Sequence, residues 1–115
     1  MTPKSVDYLE RLRRLAINDA HLAEDLMGTS GAEEGSALDP KTLTLVRLAA
    51  LVAIRGAQPS FGALTDGAVE AGATADEIVD VLAAVAAVVG IPCVVTAAPK
   101  VAIALGHDAD EALAG

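Results

Sequence analysis

Few side chains in this 115-residue chain could do chemistry, and they are scattered. Cys93 is the single cysteine, so no intramolecular disulfide can form and no second thiol stands by to resolve an oxidised first one. It follows Pro92 at a predicted helix start, where the helix dipole would favour a thiolate. Flanked by Pro92 and Val94, it reads better as a small buried hydrophobe. His21 and His107 have no metal-ligand spacing with each other or with a carboxylate cluster, so no metal centre is expected. Arg47 and Arg55 are a little over two turns apart on a predicted helix, which places them on one side of it. Two guanidiniums on an apolar helix can clamp a carboxylate, or pair with acids across a subunit interface. Gln58, Ser60, Thr65 and Asp66 are the polar residues that follow. Asp66 lies off the apolar seam and should face solvent.

The elements that must position these groups all read as helices. Thr2-Pro3 pairs a cap with a first-turn proline. Leu9, Leu12, Ala16, Ala20, Ala23 and Met27 then recur at three- and four-residue spacing, predicting one buried stripe over a first helix to residue 27. Residues 28–38 are rich in Gly and Ser and read as a flexible loop. Asp39-Pro40 repeats the cap-plus-proline start for a second helix reaching Arg55 or Gly56. A third begins near Ser60, shows the seam Phe61, Leu64, Ala68 and Ala71, and stops at Gly72. Thr74 with Glu77 forms a capping box for a fourth helix, Ala75 to Val89. That helix is apolar all round after its first turn, which suits a central position or a subunit interface. Gly90-Ile91-Pro92 opens a fifth helix, ending near Leu105-Gly106, with Pro99 inside it as an expected kink. No strand-like alternation competes, so the class is all-α with five helices.

Composition narrows the partners. Apolar residues make up 53% of the chain, yet there is one Tyr and one Phe, so the core consists of small side chains that allow close helix approach. A chain this small and apolar is expected to cover part of its surface with copies of itself. Net charge is −8, which argues against nucleic acid. Lys4, Arg11, Arg13 and Arg14 gather in the first helix, but Asp7 and Glu10 interleave with them, giving a mixed, solvated face. Residues 81–99 carry no charge, but Gly90 and Pro92 divide them into helices too short to span a bilayer. Met1 to Arg14 is polar and charged with no apolar central region, so a signal peptide is not expected. With the lone cysteine, this suits a reducing cytoplasm.

Gly56 to Ile78, reading GAQPSFGALTDGAVEAGATADEI, resembles the core of the carboxymuconolactone decarboxylase/AhpD-like family. In that family a helix carrying Cys-x-x-Cys-x-x-x-His, or a lone catalytic His, runs into an "ALxAGAT-x-EEI" turn. Ala68 to Ile78 matches the turn. Leu38-Asp39-Pro40-Lys41-Thr42 is similar to the family's "LDPKTREL" opening, and Gly90-Ile91-Pro92 to its closing "GFP" or "GIP" helix. The resemblance covers about residues 38–106, within a single expected domain spanning 1–115 whose family core is 39–106.

The resemblance implies a five-helix AhpD-like subunit assembling into trimers or hexamers through apolar helices, with no cofactor. Counting back from the turn, the two family cysteines fall on Ala57 and Ser60 and the histidine on Leu64. The Glu often present in the opening helix falls on Thr44 or Leu45. A peroxidase needs a thiolate, a resolving thiol and a proton relay, and none stands at those positions. Two readings follow. The chain is an oligomeric subunit that binds a small acidic ligand or serves a partner enzyme. Alternatively it is a divergent cofactor-independent enzyme doing acid/base chemistry, decarboxylation or isomerisation, on a small acidic or lactone-like substrate. Arg47, Arg55, Gln58, Ser60, Phe61, Leu64 and Cys93 are the ligand-binding candidates, with Leu64 as part of a dry apolar wall.

Overall fold

The computed structural model describes residues 3–17 and 37–107, with side chains from residue 8 onward. Among the described residues every regular element is an α-helix, and there are five: α1 Pro3–Ala16, α2 Pro40–Ala53, α3 Gln58–Glu70, α4 Ala75–Val89 and α5 Ile91–Ala104. The chain divides after Ala37 into two units. In the first, α1 carries Arg13 paired with Glu10 one turn earlier on its mixed-charge face. Leu9, Leu12 and Ala16, expected in a buried stripe, are exposed. The rest of that stripe, His21 and residues 28–36 of the expected loop lie outside the described residues.

The second unit is a four-helix arrangement in which each helix has two principal neighbours. α2 packs on α3 and α4, and α5 packs on the same two, leaving α2–α5 and α3–α4 as the lesser diagonals. One inward position per turn builds the core: Leu48 and Val52 from α2, Phe61 and Ala68 from α3, Ile78 and Leu82 from α4, Ala97 and Val101 from α5. The four-residue step brings successive side chains over one another on one face. Thr65 completes the inner face of α3 and is fully buried. The α3 seam therefore runs Phe61, Thr65, Ala68, while Leu64 is half-buried at its flank and still packs against the core. α4 is not central in this chain. It buries Ile78 and Leu82 but leaves Val79 and Val88 more than half exposed.

Local chemistry sets the helix ends. The Asp39 carboxylate accepts from Thr42 N at 2.7 Å, capping α2 with Pro40 in its first turn. This bond, reinforced by the Thr42 hydroxyl and by Lys41, holds Asp39 below its ordinary carboxylate pKa. At α4 the predicted capping box is present: Glu77 N donates to Thr74 Oγ1 at 3.1 Å, and Thr74 N donates to Glu77 Oε1 at 2.9 Å. Lys41 reaches across from α2 to Glu77 Oε2 at 3.0 Å. The backbone bond from Thr74 first, and Lys41 second, push the Glu77 carboxyl down. Gly90, with φ at 91°, ends α4 and starts α5 at once. α5 continues through Pro99 to Ala104 as one helix, although Pro99 cannot supply an amide to the carbonyl of Val95.

α2, α3 and α5 end alike. After α3, Gly72 N bonds to Val69 O and Ala73 N to Ala68 O. After α5, Gly106 N bonds to Ile103 O and His107 N to Ala102 O. These are Schellman ends, with Gly72 and Gly106 at the left-handed position, φ 103° and 99°. α2 closes with the same pair of bonds, Arg55 N to Val52 O and Gly56 N to Leu51 O. There the left-handed residue is Arg55, at φ 57°, and the glycine comes one place later. Gly56 meets a different demand: a Cβ on it would lie 2.1 Å from Leu51 Cδ1.

Candidate functional site

The α2–α3 junction and the first two turns of α3 hold most of the residues singled out from sequence. α2 stops at Ala53, so Arg55 is not on the helix that carries Arg47. The shared-side argument for the two arginines fails here, because the left-handed turn at Arg55 redirects the chain. Arg47 is half-buried on α2, and Arg55 is exposed beyond its end.

α3 begins two residues earlier than expected, at Gln58 rather than near Ser60, with Ala57 as a cap residue that has no side chain to accept a bond. Ser60 N and Phe61 N both turn back to Ala57 O, at 3.1 and 3.2 Å. Ser60 is exposed, Phe61 is fully buried, and Leu64 packs against the core below them. Cys93 lies in the first turn of α5 and is buried, which fits its reading as a small hydrophobe.

Lys100 is the residue that sequence reasoning missed. Its ammonium donates to the carbonyl of Gly56 at 3.0 Å, and its own carbonyl accepts from Gln58 Nε2 at 2.9 Å. The same ammonium lies 5.8 Å from the centre of the Phe61 ring, within cation–π range. One signal was available: Lys100 is the sole charge on the apolar helix α5, directly after its internal proline.

Thr65 is the other surprise. Grouped by sequence with Gln58, Ser60 and Asp66, it is instead in the core, and its hydroxyl has no hydrogen-bond partner. Asp66 faces outward as expected. With Val69, Glu70, Ala104 and Leu105 it lines an open cleft of about 380 Å³ between the ends of α3 and α5. Asp66 and Glu70 are one turn apart on α3, so the cleft wall is acidic. Among the described residues no three His, Cys, Asp or Glu side chains converge as metal ligands. Nor is any helix among them long and apolar enough to cross a membrane.

Among the described residues the chain is an all-α bundle whose second helix starts at a proline and whose third runs into an Ala-Gly-Ala-Thr turn. The profile of the carboxymuconolactone decarboxylase family matches residues 20–104, most of the chain, and the protein belongs to that family. No curated protein and no solved structure gives a significant match.

Proposed function

We propose that this chain is a family member without thiol peroxidase chemistry, acting in the cytoplasm as an oligomeric small-ligand-binding or accessory subunit. The observation that carries the reading is the head of α3. Ala57 and Ser60 occupy the positions of the family's redox pair, and neither can form a disulfide. Leu64 occupies the histidine position, and it packs against the core beside the fully buried Phe61. A space filled by two apolar side chains suits a structural role better than proton transfer.

The first partner is a second copy of the chain. Val79 and Val88 of α4 and Ile91 and Val95 of α5 are each more than half exposed, and large apolar side chains left in water favour association. A small acidic ligand, held by shape and by Arg47 or Arg55, or a partner enzyme, completes the proposal. The acid/base alternative on an acidic or lactone-like substrate needs a carboxylic acid facing a cation. The cleft beside Asp66 and Glu70 has no cation in its lining, which weighs against it.

Two assays on the purified chain test the reading. Sedimentation should give a mass several times the 11.5 kDa of one chain. Neither cumene hydroperoxide with a dithiol donor nor a carboxymuconolactone should turn over. A monomer at micromolar concentration removes the oligomeric part. Peroxide turnover lost in Cys93→Ser, or decarboxylation lost in Asp66→Asn, removes the non-catalytic part.

A further inference from the structure

The α2–α3 junction combines a strained residue with a fastening supplied by another helix. Arg55 is the one non-glycine residue with positive φ among the described residues. It occupies the place that Gly72 and Gly106 take at the equivalent ends of α3 and α5. A side chain at that backbone conformation is strained and persists only where its surroundings hold it. Here the holding groups come from far along the chain. Lys100 Nζ binds the carbonyl of Gly56, and Gln58 Nε2 binds the carbonyl of Lys100, so each segment grips the backbone of the other. The Lys100 ammonium also faces the ring of Phe61, which anchors α3 in the core.

We infer that the Arg55–Gly56 turn is a two-state latch, closed while Lys100 and Gln58 clasp it to α5. Breaking the clasp lets the strained turn relax as a unit, lifts the head of α3 from α5, and uncovers the ring of Phe61. The head of α3 is thus the adjustable part of the bundle, and it is where Ala57 and Ser60 stand. This inference rests on the clasp geometry and is independent of the proposed ligand-binding role.

Amide hydrogen exchange on the full chain, read by NMR, tests it. In Lys100→Met the amides of Arg55, Gly56, Ser60 and Phe61 should exchange about tenfold faster, the low end for losing a charged hydrogen bond. Gln58→Leu should speed the same amides about threefold or more, and it carries the test if Lys100→Met does not fold. Leu82 and Val85 in α4 should keep their rates. Adding Arg55→Gly, which relieves the strain, should return the junction amides towards wild-type protection in either background. The latch is overturned if α4 exchange rises equally, if the junction amides do not respond, or if Arg55→Gly leaves them fast.

Discussion

Replacing Gly56 by alanine should destabilise the protein, whereas the same change at Gly62 should stabilise it. A Cβ on Gly56 would lie 2.1 Å from Leu51 Cδ1 and 2.6 Å from its Cγ, well inside the roughly 3.5–4 Å at which carbon atoms attract. A far methyl could rotate aside, but Cγ is the branch point, and Leu51 itself packs against the core. Overpacking of this kind costs about 1–3 kcal/mol. The reduced freedom of the unfolded chain offsets about 0.4–1 kcal/mol of that, leaving roughly 1–2 kcal/mol of net loss. Gly62 lies inside α3 with nothing within 4 Å of its would-be Cβ, so alanine there should add about 0.5–1 kcal/mol. Thermal unfolding followed by circular dichroism at fixed protein concentration separates the twins. About 4 °C per kcal/mol for a chain of this size predicts Tm roughly 4–8 °C lower for Gly56→Ala and about 2–4 °C higher for Gly62→Ala. The cause is isolated by Leu51→Ala, which removes the clashing atoms. The double variant Leu51→Ala/Gly56→Ala should be less damaged than the summed single effects by about 0.5 kcal/mol or more. A neutral Gly56→Ala, or strict additivity in the double variant, would refute the packing argument.

Leu64→His, which puts an imidazole where the family resemblance implies one, should cost about 1–3 kcal/mol because the imidazole enters a site packed against the apolar core; a stable variant with a freely titrating imidazole would show an open, wet pocket and favour the enzyme reading. Thr65→Val removes a buried hydroxyl that has no partner and should raise stability by about 1 kcal/mol in urea titration; a loss of similar size would mean the hydroxyl is satisfied in solution. Asp39 and Glu77 both have lowered pKa values in the folded chain, so their contribution is complete above the ordinary carboxylate range and is lost as pH falls through the lowered folded values. Tm should therefore drop less on acidification in Asp39→Asn/Glu77→Gln than in the parent, and identical acid profiles would sink this assignment.

The parts of the fold read correctly from sequence are those specified by a few adjacent residues. Asp39-Pro40, the Thr74–Glu77 box and the Gly90-Ile91-Pro92 break each act within one turn, and each appears where its residues stand. Burial was harder, because small residues carry little directional signal. On α3 the periodicity admits both Leu64 and Thr65 to the inner face, and hydrophobicity favoured Leu64. The structure buries Thr65 fully and sets Leu64 at the flank, since packing answers to angle and volume as well as polarity. The end of α2 was placed at Arg55 or Gly56 for a related reason. Arginine continues a helix readily, so nothing local announces that it adopts a left-handed conformation.

The clasp across the α2–α3 junction shows where such reading stops and what that means for the site. Lys100 and Gly56 are 44 residues apart, and no periodicity links a lone lysine on an apolar helix to a carbonyl on another. Yet this contact, with Gln58 answering it, fastens the head of α3 to α5. Ala57, Ser60 and Leu64 contribute no hydrogen-bonding side chain to that arrangement among the bonds that define it. The backbone of the helix head is held by Lys100, Gln58, Gly56 and the buried Phe61, and the exposed side chains of Ala57 and Ser60 take no part in holding it. This helix head therefore needs neither a thiol nor an imidazole to hold its shape. Its shape rests on contacts made by Lys100, Gln58 and Phe61, so the non-catalytic subunit proposed above requires no further group to hold α3 in place.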